Sequence, residues 1–134
     1  VSDEGAVVIN DAYNASPTSM IAAINVVKEL SNFNQKIIVL GDMFELGERA
    51  DTFYKQIAQA IDDTIDVVFT IGKNAAIISS EVNDCNSHTK GKHFNDKDSL
   101  INELKPLLKN DVVVLFKASR GMALEKIVAH LVCA

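Results

Sequence analysis

The feature that most constrains the fold of this chain is a repeated alternation of short, nearly all-apolar, β-branched runs with amphipathic segments. That alternation predicts βα units and a mostly parallel sheet, an α/β fold. The runs cover residues 6–10, 36–41, 66–72 and 111–117, with a weaker candidate at 91–95. Within each run apolar residues follow one another instead of alternating with polar ones, as in strands covered by helices on both faces.

The intervening segments have helical spacing and readable ends. Ser16 is a good N-cap and Pro17 a good first helical residue, after which Met20, Ile24, Val27 and Leu30 form one apolar stripe out to residue 31. A second helix over 48–62 turns Phe53, Ile57, Ala60 and Ile61 inward, and a third over 73–81 carries Ala76, Ile77 and Ile78. In a fourth, Leu100, Ile101 and Leu104 make the stripe. Pro106 lacks an amide donor and restricts Lys105, so that helix ends or kinks there. A last helix over 121–132 faces Leu124, Ile127, Val128 and Leu131 inward. Residues 83–92 are polar and rich in Gly, Ser and Asn, the composition of a surface loop. No internal repeat or domain boundary interrupts the pattern, so residues 1–134 read as one domain. Asp3-Glu4-Gly5 resembles a hairpin turn without its first strand, which reads as the start of a fragment.

Charge and composition narrow the function. Thirteen Lys and Arg against eighteen Asp and Glu leave a net charge of −5, with no basic run able to neutralise a series of phosphates, so nucleic acid is not the expected partner. The apolar runs fall far short of the roughly 20 residues a membrane span needs, so no membrane insertion is expected. Cys85 and Cys133 make no disulfide framework and no nucleophile spacing, which suits a reducing, cytoplasmic setting. His88, His93 and His130 stand without an i,i+4 or Cys partner and read as surface or packing residues, so no metal site is expected.

In an open parallel sheet the ligand lies beyond the carboxyl ends of the strands. Three polar segments follow strands in this way. In the first, Asp11 offers a carboxylate for ribose hydroxyls, Tyr13 a stacking face, and Asn14 both donor and acceptor, a set suited to a nucleoside. The same residues also serve plain Asx turns before a capped helix. In the second, Gly41 and Gly47 bracket Asp42, Met43 and Glu45, two carboxylates and a soft thioether that suit an ammonium group or a solvated loop. In the third, Ser119 and Arg120 precede a helix whose free N–H groups favour an anion, with Glu125 close behind. Ser119 is also an ordinary N-cap residue. Neither G-x-x-x-x-G-K-[ST] nor G-x-G-x-x-G occurs, so the chain alone is poorly equipped to hold a triphosphate.

Taken together, Asp-Ala-Tyr-Asn-Ala-Ser-Pro at 11–17, Leu-Gly-Asp-Met-Phe-Glu-Leu-Gly at 40–47 and Lys-Ala-Ser-Arg-Gly-Met-Ala-Leu-Glu at 117–125 resemble the C-terminal domain of the Mur ligases, of the MurF type. The family strings are D-A-Y-N-A-N-P, L-G-D-M-x-E-L-G and K-[GA]-S-R-x-M-x-x-E, so Ser16 departs from the second Asn of the first. The resemblance implies a three-layer Rossmann-like domain. It implies an enzyme whose N-terminal domain holds a UDP-sugar and whose central domain holds the ATP phosphates and Mg²⁺, with this domain packing against and closing over both. In such enzymes ATP phosphorylates the carboxylate of a UDP-muramoyl-tripeptide. The amine of D-alanyl-D-alanine then attacks the acyl phosphate, and the tetrahedral intermediate expels phosphate. Carried over by position, Asp11, Tyr13 and Asn14 contact the adenosine of ATP, Ser119 and Arg120 clamp the dipeptide carboxylate, and Asp42, Met43 and Glu45 line the dipeptide pocket, with Glu125 near it. No catalytic residue or metal ligand is assigned to this chain. Two other readings fit part of the pattern: a receiver-like signalling domain using Asp11, Asp42, Thr70 and Lys117, and a noncatalytic nucleotide-binding module.

Overall fold

The computed structural model describes residues 7–11, 17–30, 33–41, 50–72, 75–85, 88–107 and 111–117. Five strands form one sheet among them: β1 (Val7–Asp11), β2 (Gln35–Gly41), β3 (Val67–Ile71), β4 (Lys90–Phe94) and β5 (Val112–Lys117). Every pairing is parallel, and the spatial order is β1-β5-β2-β3-β4. The helices are α1 (Pro17–Glu29), α2 (Ala50–Ala60), α3 (Ala76–Cys85) and α4 (Lys97–Leu104), the last continuing into a 3₁₀ turn at Lys105–Leu107.

The order of strands explains the layers. From β2 the chain steps outward to β3 and β4, then returns to insert β5 between β1 and β2. Parallel crossovers are right-handed, so reversing the direction of travel moves the connecting helix to the other face. Thus α1, α2 and α3 cover one face and α4 the opposite one. Successive strand residues point to alternate faces. Ile38, Leu40, Val68, Val113 and Leu115 accordingly meet Met20, Ile24, Val27, Tyr54, Ile57 and Ile78, whereas Ile37, Val39, Phe69, Val114 and Phe116 share a cluster with Leu100 and Leu104. The expected three-layer α/β architecture is present, and the sheet is parallel throughout.

Several local expectations shift. In α2 the inward face is Tyr54, Ile57, Ala58 and Ile61; Phe53 and Ala60 are only half-buried. Tyr54, Ile57, Ala58 and Ile61 recur at three- and four-residue steps, and Phe53, four residues before Ile57, lies at the margin of that face. In α3, Ile78 is fully buried with Val82, while Ala76 and Ile77 lie at the margin. The supposed loop over 83–92 is largely regular structure, because α3 continues to Cys85 and β4 begins at Lys90. Its polarity has a cause: β4 is an edge strand of alternating burial, and Asn83 caps that edge. The Asn83 side chain donates to Gly91 O and accepts from Gly91 N, both at 2.9 Å, taking the place of a neighbouring strand. Gly91 is required because a Cβ there would sit 2.7 Å from the Ser79 carbonyl oxygen. The helix before Pro106 ends at Leu104, as its sequence predicts. The helix expected over 121–132 lies outside the described residues.

At the amino ends of the strands, side chains tie the connections together. The Asp66 carboxylate accepts from Lys36 N at 2.7 Å and lies 2.7 Å from His88 Nε2. The Thr89 hydroxyl reaches the carbonyls of Ile65 and Asp62, and Lys28 Nζ reaches Ala60 O and the Asp62 carboxylate. Asp111 adopts φ 71°, and its carbonyl accepts from Asn34 N and Gln35 N, fixing the start of β5 beside β2. A short Asp side chain tolerates that left-handed conformation better than most residues.

Candidate functional site

The carboxyl ends of β1, β5 and β2 lie side by side. Asp11 is the register partner of Lys117 across β1 and β5, and Leu40 is its partner across β5 and β2. The three polar segments of the sequence therefore leave the sheet from three adjacent strands. Asp11 ends β1, Gly41 ends β2 and Lys117 ends β5. Residues Tyr13, Asn14, Asp42, Met43, Glu45, Ser119, Arg120 and Glu125 lie outside the described residues. Their anchors are fixed nonetheless. The insertion of β5 sets the carboxyl ends of β1 and β2 on either side of its own.

Lys117 is a residue that the motif reading undervalues. It closes the central strand of this trio and is only 2% exposed. An ammonium at such a depth demands polar company, because burying an unpaired charge is strongly unfavourable. Its signal in sequence is a lysine ending an otherwise apolar strand.

The ends of β3 and β4 differ in kind. Thr70, fully buried, donates through Oγ1 to Ser79 Oγ at 3.1 Å, and Ser79 donates to Ala76 O at 3.0 Å. With both hydroxyl protons committed, His93 Nδ1, 2.9 Å from Thr70 Oγ1, must be the donor to that oxygen. The three side chains satisfy one another. On the other face, Phe69 and Phe94 meet edge to face with centroids 5.1 Å apart, sealing the end of the sheet. Beyond β4 an open cavity of about 430 Å³ is lined by Lys92, Asn95, Asp96, Ser99, Asn102 and Glu103 among others. Its charged groups are engaged, Lys92 with Glu103 at 3.1 Å and Asp96 with the amide of Ser99 at 2.7 Å as the cap of α4. The Ser99 amide and hydroxyl hold the Asp96 carboxyl below its usual range.

The receiver-like alternative fails on topology. Such a domain has strand order 2-1-3-4-5, with the first strand inside the sheet. Here β5 separates β1 from β2, and β2 separates Thr70 on β3 from Lys117 on β5. The Thr70 hydroxyl is also consumed internally. Among the described residues no group of three or more His, Cys, Asp or Glu side chains is arranged to hold a metal ion, and no helix is long and apolar enough to cross a membrane.

Comparison with known proteins agrees with this geometry. Residues 1–120 match the family described as Mur ligase, glutamate ligase domain. The UDP-N-acetylmuramoyl-tripeptide--D-alanyl-D-alanine ligase of Bacillus subtilis is 44% identical over 132 residues, covering 98% of this chain and 29% of that enzyme. Its Escherichia coli counterpart is 34% identical, with 96% and 27% covered. Among solved structures, the MurF ligase of Thermotoga maritima in complex with ADP superposes with a TM-score of 0.74 at 27% identity, covering 95% of this chain and 28% of that one. The chain thus spans under a third of the length of the curated relatives it matches. With the family pattern running through the described sheet and the MurF-type relatives matching nearly its whole length, this chain belongs to the Mur ligase family, in which it corresponds to the C-terminal domain of MurF.

Proposed function

We propose that this chain is the C-terminal domain of a cytoplasmic, ATP-dependent ligase that joins D-alanyl-D-alanine to a UDP-N-acetylmuramoyl-tripeptide in peptidoglycan synthesis. The observation that carries the reading is the convergence of three family motifs on the adjacent ends of β1, β5 and β2. An ADP complex of a MurF relative supports a nucleotide as one occupant. The chain has no P-loop, so the ATP phosphates and Mg²⁺ belong to a central domain, the UDP-sugar to an N-terminal one, and no step is assigned to the metal from residues of this chain.

What these residues supply is binding, orientation and exclusion of water. Asp11, Tyr13 and Asn14 receive the adenosine at the end of β1. Ser119 and Arg120 hold the dipeptide carboxylate beyond β5, where a planar guanidinium makes two parallel hydrogen bonds that a lysine does not reproduce. Asp42, Met43 and Glu45 line the dipeptide pocket beyond β2, with Glu125 near it, and the two carboxylates offset the charge of the incoming ammonium. Closure of this domain over the other two keeps water from the acyl phosphate, which would otherwise hydrolyse.

The test is made on the full-length enzyme. Phosphate release from ATP should require both the UDP-tripeptide and the dipeptide and yield the ligated product, whereas the 134-residue chain alone should be silent. Arg120→Lys should raise KM for D-alanyl-D-alanine more than KM for ATP. Equal effects on the two substrates, or turnover by the isolated chain, would overturn the assignment.

A further inference from the structure

Among the described residues β4 closes one edge of the sheet. Peptide groups alternate in direction along a strand. Lys90 N donates to Asp66 O on the β3 side, so Lys90, Lys92 and Phe94 turn their backbone groups inward, and Gly91 and His93 turn theirs outward. An outward row of unpaired N–H and C=O groups is a template for pairing with another chain. Gly91 has no side chain to shield it, and one is barred there because its Cβ would stand 2.7 Å from the Ser79 carbonyl oxygen. The same close approach of α3 brings a substitute. Asn83 lies one helical turn after Ser79 and so reaches the same edge. Its side chain donates to Gly91 O and accepts from Gly91 N, both at 2.9 Å. Two bonds exchanged with a single residue are what the hydrogen-bonded position of an antiparallel neighbour would make.

We propose that Asn83 guards the β4 edge: it occupies the place that β4 of a second copy of this chain would take, and so keeps the two edges from pairing. Two-fold pairing of identical edges runs antiparallel and needs no surface but this one. Lys90 and Lys92, both exposed, act in the same sense, since a two-fold partner would set like charges close together. The guard does not depend on the ligase reading above.

Hydrogen exchange and sedimentation velocity on the full-length protein test this. Asn83→Ala favours the helix, so what it removes is the cover of Gly91. At low concentration the Gly91 amide of the variant should exchange about tenfold faster than in the wild type. As concentration rises the variant should self-associate beyond the wild type, and protection at Gly91 and His93 should return with association. Adding Lys92→Thr should strengthen that association. Should Asn83→Ala fail to fold, Asn83→Asp takes its place, keeping the acceptor for Gly91 N and losing the donor to Gly91 O. A folded variant that sediments like the wild type at every concentration, with and without Lys92→Thr, would overturn the guard. Association that leaves the Gly91 and His93 amides unprotected would overturn it too, by placing the contact elsewhere.

Discussion

The two halves of the sheet's carboxyl rim are built in different ways. At β3 and β4, Thr70, Ser79 and His93 satisfy one another. At β1, β5 and β2 the strand order sets three strand ends side by side, with Lys117 buried at the end of the middle one. Polarity at a strand end is therefore no sign of a ligand site by itself. At Thr70, Ser79 and His93 the partners lie inside the fold.

That contrast can be broken by substitution, since the closed half should govern stability and the open half kinetics. The largest effect is expected from Gly91→Val, whose new side chain would collide with the Ser79 backbone. Overpacking of this kind costs about 3 kcal/mol and should appear as a lowered thermal midpoint with KM values unchanged. Thr70→Val keeps the shape but removes the bridge between Ser79 and His93, and should cost about 1–2 kcal/mol, again with kinetics intact. A changed KM in either variant would erase the distinction between the halves. Met43→Ala, in the open half, should do the reverse, raising KM for the dipeptide severalfold while stability stays within about 0.5 kcal/mol.

The smallest effect concerns acid. Asp62 is destabilised as an anion by its partial burial, but hydrogen bonds from Thr64 and the Lys28 ammonium outweigh that and hold its carboxyl below the usual carboxylate range. A carboxylate with a lowered folded pKa contributes stability above the unfolded value and loses it as pH falls through the folded one. Asp62→Asn should therefore cost only a few tenths of a kcal/mol at neutral pH, since its side chain is 51% exposed, and should flatten the loss of stability below about pH 4. Denaturation curves at pH 7 and pH 3 check this. An unchanged acid slope would show that Asp62 is not the group responsible.

Much of the fold was legible because strands buried on both faces leave unbroken apolar runs, as in Ile37 to Leu40 and Val112 to Phe116. The edge strand left only a weak signal, the candidate at 91–95, since Lys90 and Lys92 face solvent and resemble loop residues. Phe53 and Tyr54 stand four and three residues before Ile57, so spacing alone does not say which of them turns inward. The motifs themselves were visible as strings, but which strands stand side by side was not, because nothing local in the sequence says that β5 inserts between β1 and β2. The Thr70, Ser79 and His93 network joins three separate elements and left no spacing to detect.

The position of β5 also sets an order of assembly. Among the described residues β1 has no other strand neighbour, and its partners Val113 to Lys117 come near the end of the chain. As the polypeptide emerges, β2, β3 and β4 can zip together with their local helices, while the first strand must wait across a long closure before it gains a companion. The first strand is thus paired only after every element from α1 to α4 has been made, which makes that pairing a late checkpoint on the integrity of everything between.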